Sequence, residues 1–157
     1  MAMIKLFILF SITACGFTSD IKPDGNVLIS MSPIDTMLTE IALNKLNVES
    51  KHEFVRTTST GNHTITIYKI EDSKVDARIL GRAWVGLRVC KIEIPQRTFD
   101  MGSDMFTYVV WHEVGHCFNL PHSDDGYDIM YPYAAPLSSF NLENKQKFFR
   151  RMYEASH

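Results

Sequence analysis

With 157 residues, 45% of them hydrophobic, the chain can bury one respectable core but not two. Its formal charge of −2, with no run of Lys or Arg long enough to follow a phosphate backbone, argues against nucleic acid as a partner. The chain opens with Lys5 and the apolar run LFILFSITA, which ends at Cys15. Such a run reads as an export signal, since a stable bilayer anchor needs about 20 apolar residues.

The residues closing that run, Ile12-Thr13-Ala14-Cys15, resemble the lipobox of bacterial lipoproteins, in which the Cys is acylated and becomes the new N-terminus. The resemblance implies a signal over residues 1–14 and a lipidated tether over 15–25, ahead of a folded domain over 26–157. Gly16 follows the Cys, where Asp would suggest inner-membrane retention, so the implied location is the outer membrane or cell envelope, facing periplasm or exterior. The other reading is an ordinary signal peptide with an incidental Cys.

Beyond residue 25 no repeat or proline-rich linker divides the chain. NVLISM (26–31) is a strand candidate closed by Ser32-Pro33. Ile34, Met37, Leu38, Ile41, Ala42 and Leu46 follow at helical spacing and predict an amphipathic helix. EFVRTT (53–58) and TITIYKI (64–70), separated by STGNH, predict a hairpin turning at Gly61 and Asn62. LGRAWVGL (80–87) is a short strand. RVCKIEIP (88–95) is another, with Cys90, Ile92 and Ile94 alternating with Lys91 and Glu93, and Pro95 ends the sheet region.

Ser103 is the expected N-cap of a helix whose apolar residues Phe106, Val109, Val110, Val114 and Cys117 mark one face. Asn141 to Ala155, carrying Leu142, Phe148, Phe149 and Met152, is a final amphipathic helix. Strands, a central helix, a loop and a last helix make an α+β pattern. Setting Cys15 aside, Cys90 and Cys117 form an even pair in a compartment that permits disulfides. Spacing leaves a bridge and two separately buried thiols equally open.

The segment HEVGHCFNLPH (112–122) carries the chemistry. Residues four apart on a helix share a face, so His112 and His116 can present two imidazoles to one metal ion. Glu113 beside them can accept a proton from a water that the metal has acidified and return it to a leaving amine. His122 lies too far along a continuous helix to join them, so the chain must turn. Asn119 suits a left-handed helix stop second only to Gly, and Pro121 keeps the helix from resuming, which frees His122 to swing back as third ligand.

This segment resembles the metzincin zinc motif HExxHxxGxxH, departing from it only in Asn119 for Gly. DIMYP (128–132) resembles the Met-turn, in which Met130 would form an apolar floor beneath the metal. Ser123 after the third His and the sequence IMYP are most similar to the matrixins, whose pattern reads HExGHxLGLxHS followed by ALMYP. The resemblance implies a metzincin-like zincin fold, a small twisted mixed sheet with an active-site helix and a C-terminal helix. It implies one catalytic Zn2+ and a zinc-dependent endopeptidase acting on polypeptide. It also implies an edge strand at LGRAW (80–84), whose backbone near Ala83 pairs with substrate, and a pocket wall from Pro132 and Tyr133. The last helix lacks the paired Asp by which matrixins tie it to the Met-turn, and Asn144 and Lys145 stand near those places.

A catalytically inactive zinc-binding lipoprotein or interaction module, and a cell-wall peptide amidase, are the alternative readings. The intact Glu113 weighs against an inactive module, because metal retention alone does not need it. His52, His63 and His157 lack partners at ligand spacing and are expected at the surface. Asp124, Asp125 and Asp128 read as a solvated loop, not a calcium site. Trp84 and Trp111 read as packing residues. The chain is expected to be a monomer held to a membrane through its N-terminal lipid.

Overall fold

A computed structural model describes residues 25–59, 63–87 and 89–157. The export segment, Cys15, the tether up to residue 24 and the turn residues Gly61 and Asn62 lie outside them. The described residues form strands β1 (Asn26–Ser30), β2 (Arg56–Thr57), β3 (Ile65–Ile70), β4 (Arg82–Val85) and β5 (Cys90–Pro95). The helices are α1 (Pro33–Ser50), α2 (Gln96–Phe99), α3 (Ser103–Cys117) and α4 (Leu142–Ser156). The result is the expected α+β fold. The strands make one mixed sheet in the order β2-β1-β3-β5-β4, parallel except for β4, which runs antiparallel to β5 at the edge.

The predicted hairpin does not form. β2 and β3 are both parallel neighbours of β1, which lies between them. Asn47 of α1 explains why: its Oδ1 accepts the Phe54 and Val55 amides at 3.0 and 3.2 Å, and its Nδ2 donates to the Val55 carbonyl at 2.7 Å. Those backbone groups are thereby satisfied without a strand partner. Only Arg56 and Thr57 remain to pair, and β3 already has β1 and β5 on its two sides.

Ser32 and Pro33, expected only to close β1, also start helix α1, Ser32 as its cap and Pro33 as its first residue. Its buried face is rotated from the expected one. Ala42, Leu43 and Leu46 enter the core, whereas Ile34, Met37 and Ile41 are exposed. Glu93, expected to face solvent in alternation with its neighbours, is buried. It accepts from Arg82, from Trp84 Nε1 at 3.2 Å and from Lys91 at 2.6 Å. The short helix α2, capped at Pro95, was not legible.

Helix α3 is capped by Gly102 and not by Ser103. Gly102 has φ +87°, a conformation that L side chains resist, and Ser103 becomes the first helical residue. α3 packs on α1 and on the sheet. The fully buried Trp111 donates to the Ala42 carbonyl at 2.9 Å and meets Phe148 and Phe149 of α4. Cys90 and Cys117 are joined in a disulfide with a Cα separation of 5.5 Å, tying the start of β5 to the last residue of α3. No helix among the described residues is long and apolar enough to cross a membrane.

Candidate metal centre

Helix α3 brings His112, Glu113 and His116 to its last two turns, all buried. The helix then ends in a Schellman motif. Leu120 N–H bonds the Gly115 carbonyl at 3.0 Å and Asn119 N–H bonds the His116 carbonyl at 2.8 Å. Asn119 takes φ +61°, the left-handed stop its position required. The turn serves the site directly, because it aims the Leu120 carbonyl at His116 Nδ1, 2.8 Å away.

His112 Nδ1 lies 2.7 Å from the Ile129 carbonyl. A carbonyl only accepts, so both Nδ1 atoms carry the proton and both Nε2 atoms present bare lone pairs. Those two Nε2 atoms face each other at 3.0 Å, and His122 Nε2 lies 3.3 Å from that of His112. Three ring nitrogens on a tetrahedral zinc at about 2.0–2.1 Å would stand about 3.3 Å apart. Two of the three separations are close to that value and all three ligand atoms lie within 4.8 Å of one another, so the group is compatible with one such ion, and lone pairs this close repel unless a cation lies between them. Burial holds all three imidazoles below their ordinary pKa, His116 at about 4, so each ring is neutral near pH 7, the form that ligates.

Glu113 is 1% exposed, and its Oε1 has no hydrogen-bond partner among the described residues. Burial alone pushes its carboxyl up to about 8. A buried, unsatisfied carboxyl oxygen is costly and belongs to groups that function retains. Gly81, which precedes β4, allows the sheet to approach it: a Cβ there would lie 2.9 Å from Glu113 Oε1 and 2.7 Å from Val109 Cγ1. Gly115 plays the same part beneath the helix, where a Cβ would lie 2.6 Å from Met130 Sδ. Met130 is fully buried against that face.

Of the loop acids, Asp124 and Asp125 are exposed as expected, but Asp128 is not solvated. Asp128 is 1% exposed, accepts the Met130 amide at 2.9 Å through Oδ1, and is gripped at Oδ2 by Arg151 Nη1 at 2.7 Å. Arg151 also donates to the Pro121 carbonyl, just before His122, and Lys147 pairs with Asp125 at 2.9 Å. The last helix is thus anchored by cations on α4 and an acid at the Met130 turn. His52, His63 and His157 are exposed, as expected.

Ala83 lies on β4, the edge strand. Gly86 N–H bonds the Val89 carbonyl at 2.8 Å, so by antiparallel alternation the pairs Trp84–Lys91 and Arg82–Glu93 exchange hydrogen bonds. The amides and carbonyls of Ala83 and Val85 then point to the open edge. Pro132 and Tyr133 are half-buried beyond Met130, where the Tyr108 hydroxyl donates to the Tyr131 carbonyl at 3.0 Å and lies 3.5 Å from that of Tyr133. Gly81, Gly115, Tyr108 and Arg151 escaped the sequence reading because each acts on a residue distant in the chain. Only the G of HExGH offered a signal, for Gly115.

Beside a mixed sheet, one helix and the turn after it bring together three histidines able to hold a metal ion, an arrangement compatible with the zincin class. The matrixin family model matches residues 45–148, about two thirds of the sequence, and the chain belongs to the matrixin family. That membership supports zinc metallopeptidase activity, and the group His112, His116 and His122 is compatible with a zinc site. No curated protein sequence matches the chain.

Proposed function

We propose that this protein is a zinc-dependent endopeptidase in which His112, His116 and His122 hold one Zn2+ and Glu113 is the general base. The observation that carries this reading is the pair of Nε2 lone pairs on His112 and His116, 3.0 Å apart with both Nδ1 protons committed to carbonyls. Zinc held there would supply Lewis acidity toward water and toward the scissile carbonyl. Ionised by the charge of that cation, Glu113 would take a proton on its unpartnered Oε1 from the water that adds to the scissile carbonyl, and would pass it to the amide nitrogen as the C–N bond breaks. Its enclosure against Gly81 suits a carboxylate that must store a proton between two steps.

Extended substrate adds to the open edge of β4 through the backbone groups of Ala83 and Val85, which gives affinity with little side-chain selectivity. Met130 forms an apolar floor under the histidines, and Pro132 and Tyr133 wall the pocket for the residue after the cleaved bond. In the same proposal residues 26–157 are the catalytic unit, and acylated Cys15 holds it to the outer membrane or cell envelope, facing periplasm or exterior.

The test is cleavage of extended peptides by the protein before and after chelation. Activity lost to a chelator and restored by about one equivalent of zinc supports the reading. Cleavage of muropeptides and of no polypeptide would assign the site to cell-wall amide bonds instead.

A further inference from the structure

Helix α1 has two apolar faces, and the core uses one. Ala42, Leu43 and Leu46 are buried, while Ile34, Met37, Ile41 and Val48 are 66%, 52%, 55% and 76% exposed. At about 100° per residue those four fall in one narrow stripe, roughly 150° around the helix from the buried face. Nothing among the described residues covers it.

The stripe has a register. Positions 34, 37, 41, 44 and 48 follow alternating steps of three and four, the spacing of a coiled-coil seam. Ile34, Ile41 and Val48 occupy the a positions, where β-branched residues favour two parallel strands. Met37 and Asn44 occupy d, Asn44 being the one polar residue of the seam. Glu40 then falls at g and Lys45 at the following e, the two positions that meet across a parallel two-stranded interface. Lys45 is available for this: its own-chain contact to Glu49 is 3.8 Å, and Glu49 is held more closely by Lys145 at 2.9 Å.

We propose that α1 pairs in parallel with α1 of a second copy of this chain, Ile41 packing at the centre and Glu40 of each copy meeting Lys45 of the other. The helix is already formed by its packing on α3, so association pays no helix-nucleation cost. The seam is short, since 18 residues span about 27 Å, and its strip is narrower than the roughly 800 Å² per partner of a stable complex. The dimer is therefore weak, with a Kd above about 1 μM. This replaces the monomer that the sequence alone suggests, and it is independent of the metal chemistry.

Sedimentation equilibrium of the full chain, from about 1 μM to several hundred μM, tests it. The average mass should rise from one chain toward two, and Ile41→Glu, a surface change, should weaken association at least tenfold while leaving far-UV circular dichroism unchanged. Glu40→Lys and Lys45→Glu should each weaken it about threefold or more, and mixing the two variants should restore it, because the mixed pair alone brings opposite charges together. Asn44→Cys should form a 44–44 cross-link under oxidation. A monomer at every concentration, or a dimer indifferent to Ile41→Glu and to both charge reversals, overturns the proposal. So does a monomer in which Ile41→Glu abolishes binding to anionic phospholipid vesicles, which would give the stripe to a lipid surface.

Discussion

Arg151 of α4 donates to Oδ2 of Asp128 at 2.7 Å, while Oδ1 of the same carboxylate accepts the Met130 amide at 2.9 Å. The cation therefore fixes the turn that carries Met130, and through the Pro121 carbonyl it also holds the chain entering His122. Removing it leaves a buried carboxylate with only the more distant Lys147, at 3.5 Å. We expect Arg151→Ala to cost about 2–4 kcal/mol in urea denaturation and to weaken zinc retention against a chelator. Unchanged zinc affinity would reduce Arg151 to a purely structural tie.

The disulfide ends on Cys117, the residue after His116. With 27 residues of separation, its loss should cost about 3–4 kcal/mol by restoring freedom to the unfolded chain. Cys90→Ala/Cys117→Ala should also release zinc faster than wild type, because the last turn of α3 loses its covalent tie to β5. Equal zinc off-rates, measured with a colorimetric chelator, would restrict the bridge to global stability.

Gly81→Ala places a methyl group 2.9 Å from Glu113 Oε1 and 2.7 Å from Val109 Cγ1. The sheet or the carboxylate must give way, at about 1–3 kcal/mol. We expect kcat to fall at least tenfold with zinc content unchanged, since the histidines are untouched. Steady-state kinetics beside metal analysis will tell; a normal kcat would show that the Glu113 position is not critical to within an ångström.

Desolvation raises the Glu93 carboxyl, but hydrogen bonds from Lys91, Arg82 and Trp84 outweigh it and hold the group below its ordinary value. A depressed folded pKa contributes stability that is complete above the unfolded value, about 4.3, and is lost as pH falls through the folded one. The stability difference between wild type and Glu93→Gln should accordingly be flat above about pH 5 and shrink below it. A difference that grows on acidification would contradict the sign.

The metal-binding segment was legible because everything it needs is local. Four-residue spacing puts His112 and His116 on one face, and Asn119 with Pro121 forces the turn that returns His122. The start of α4 was legible to within a residue: the structure makes Asn141 its cap, in a reciprocal box with Asn144. What escaped depends on partners far apart in the chain: Asn47 satisfying residues 54 and 55, Cys90 finding Cys117, Arg151 finding Asp128. The face of α1 was misread because both of its sides are apolar, and periodicity cannot say which of two stripes meets the core.

The central claim is tested most directly by measuring zinc content and peptide cleavage together for wild type and Glu113→Ala. The account predicts about one zinc per chain in both proteins, with cleavage of a denatured-proteome peptide library by wild type alone. Wild type without zinc, or an alanine variant that cuts as fast as wild type, would contradict it.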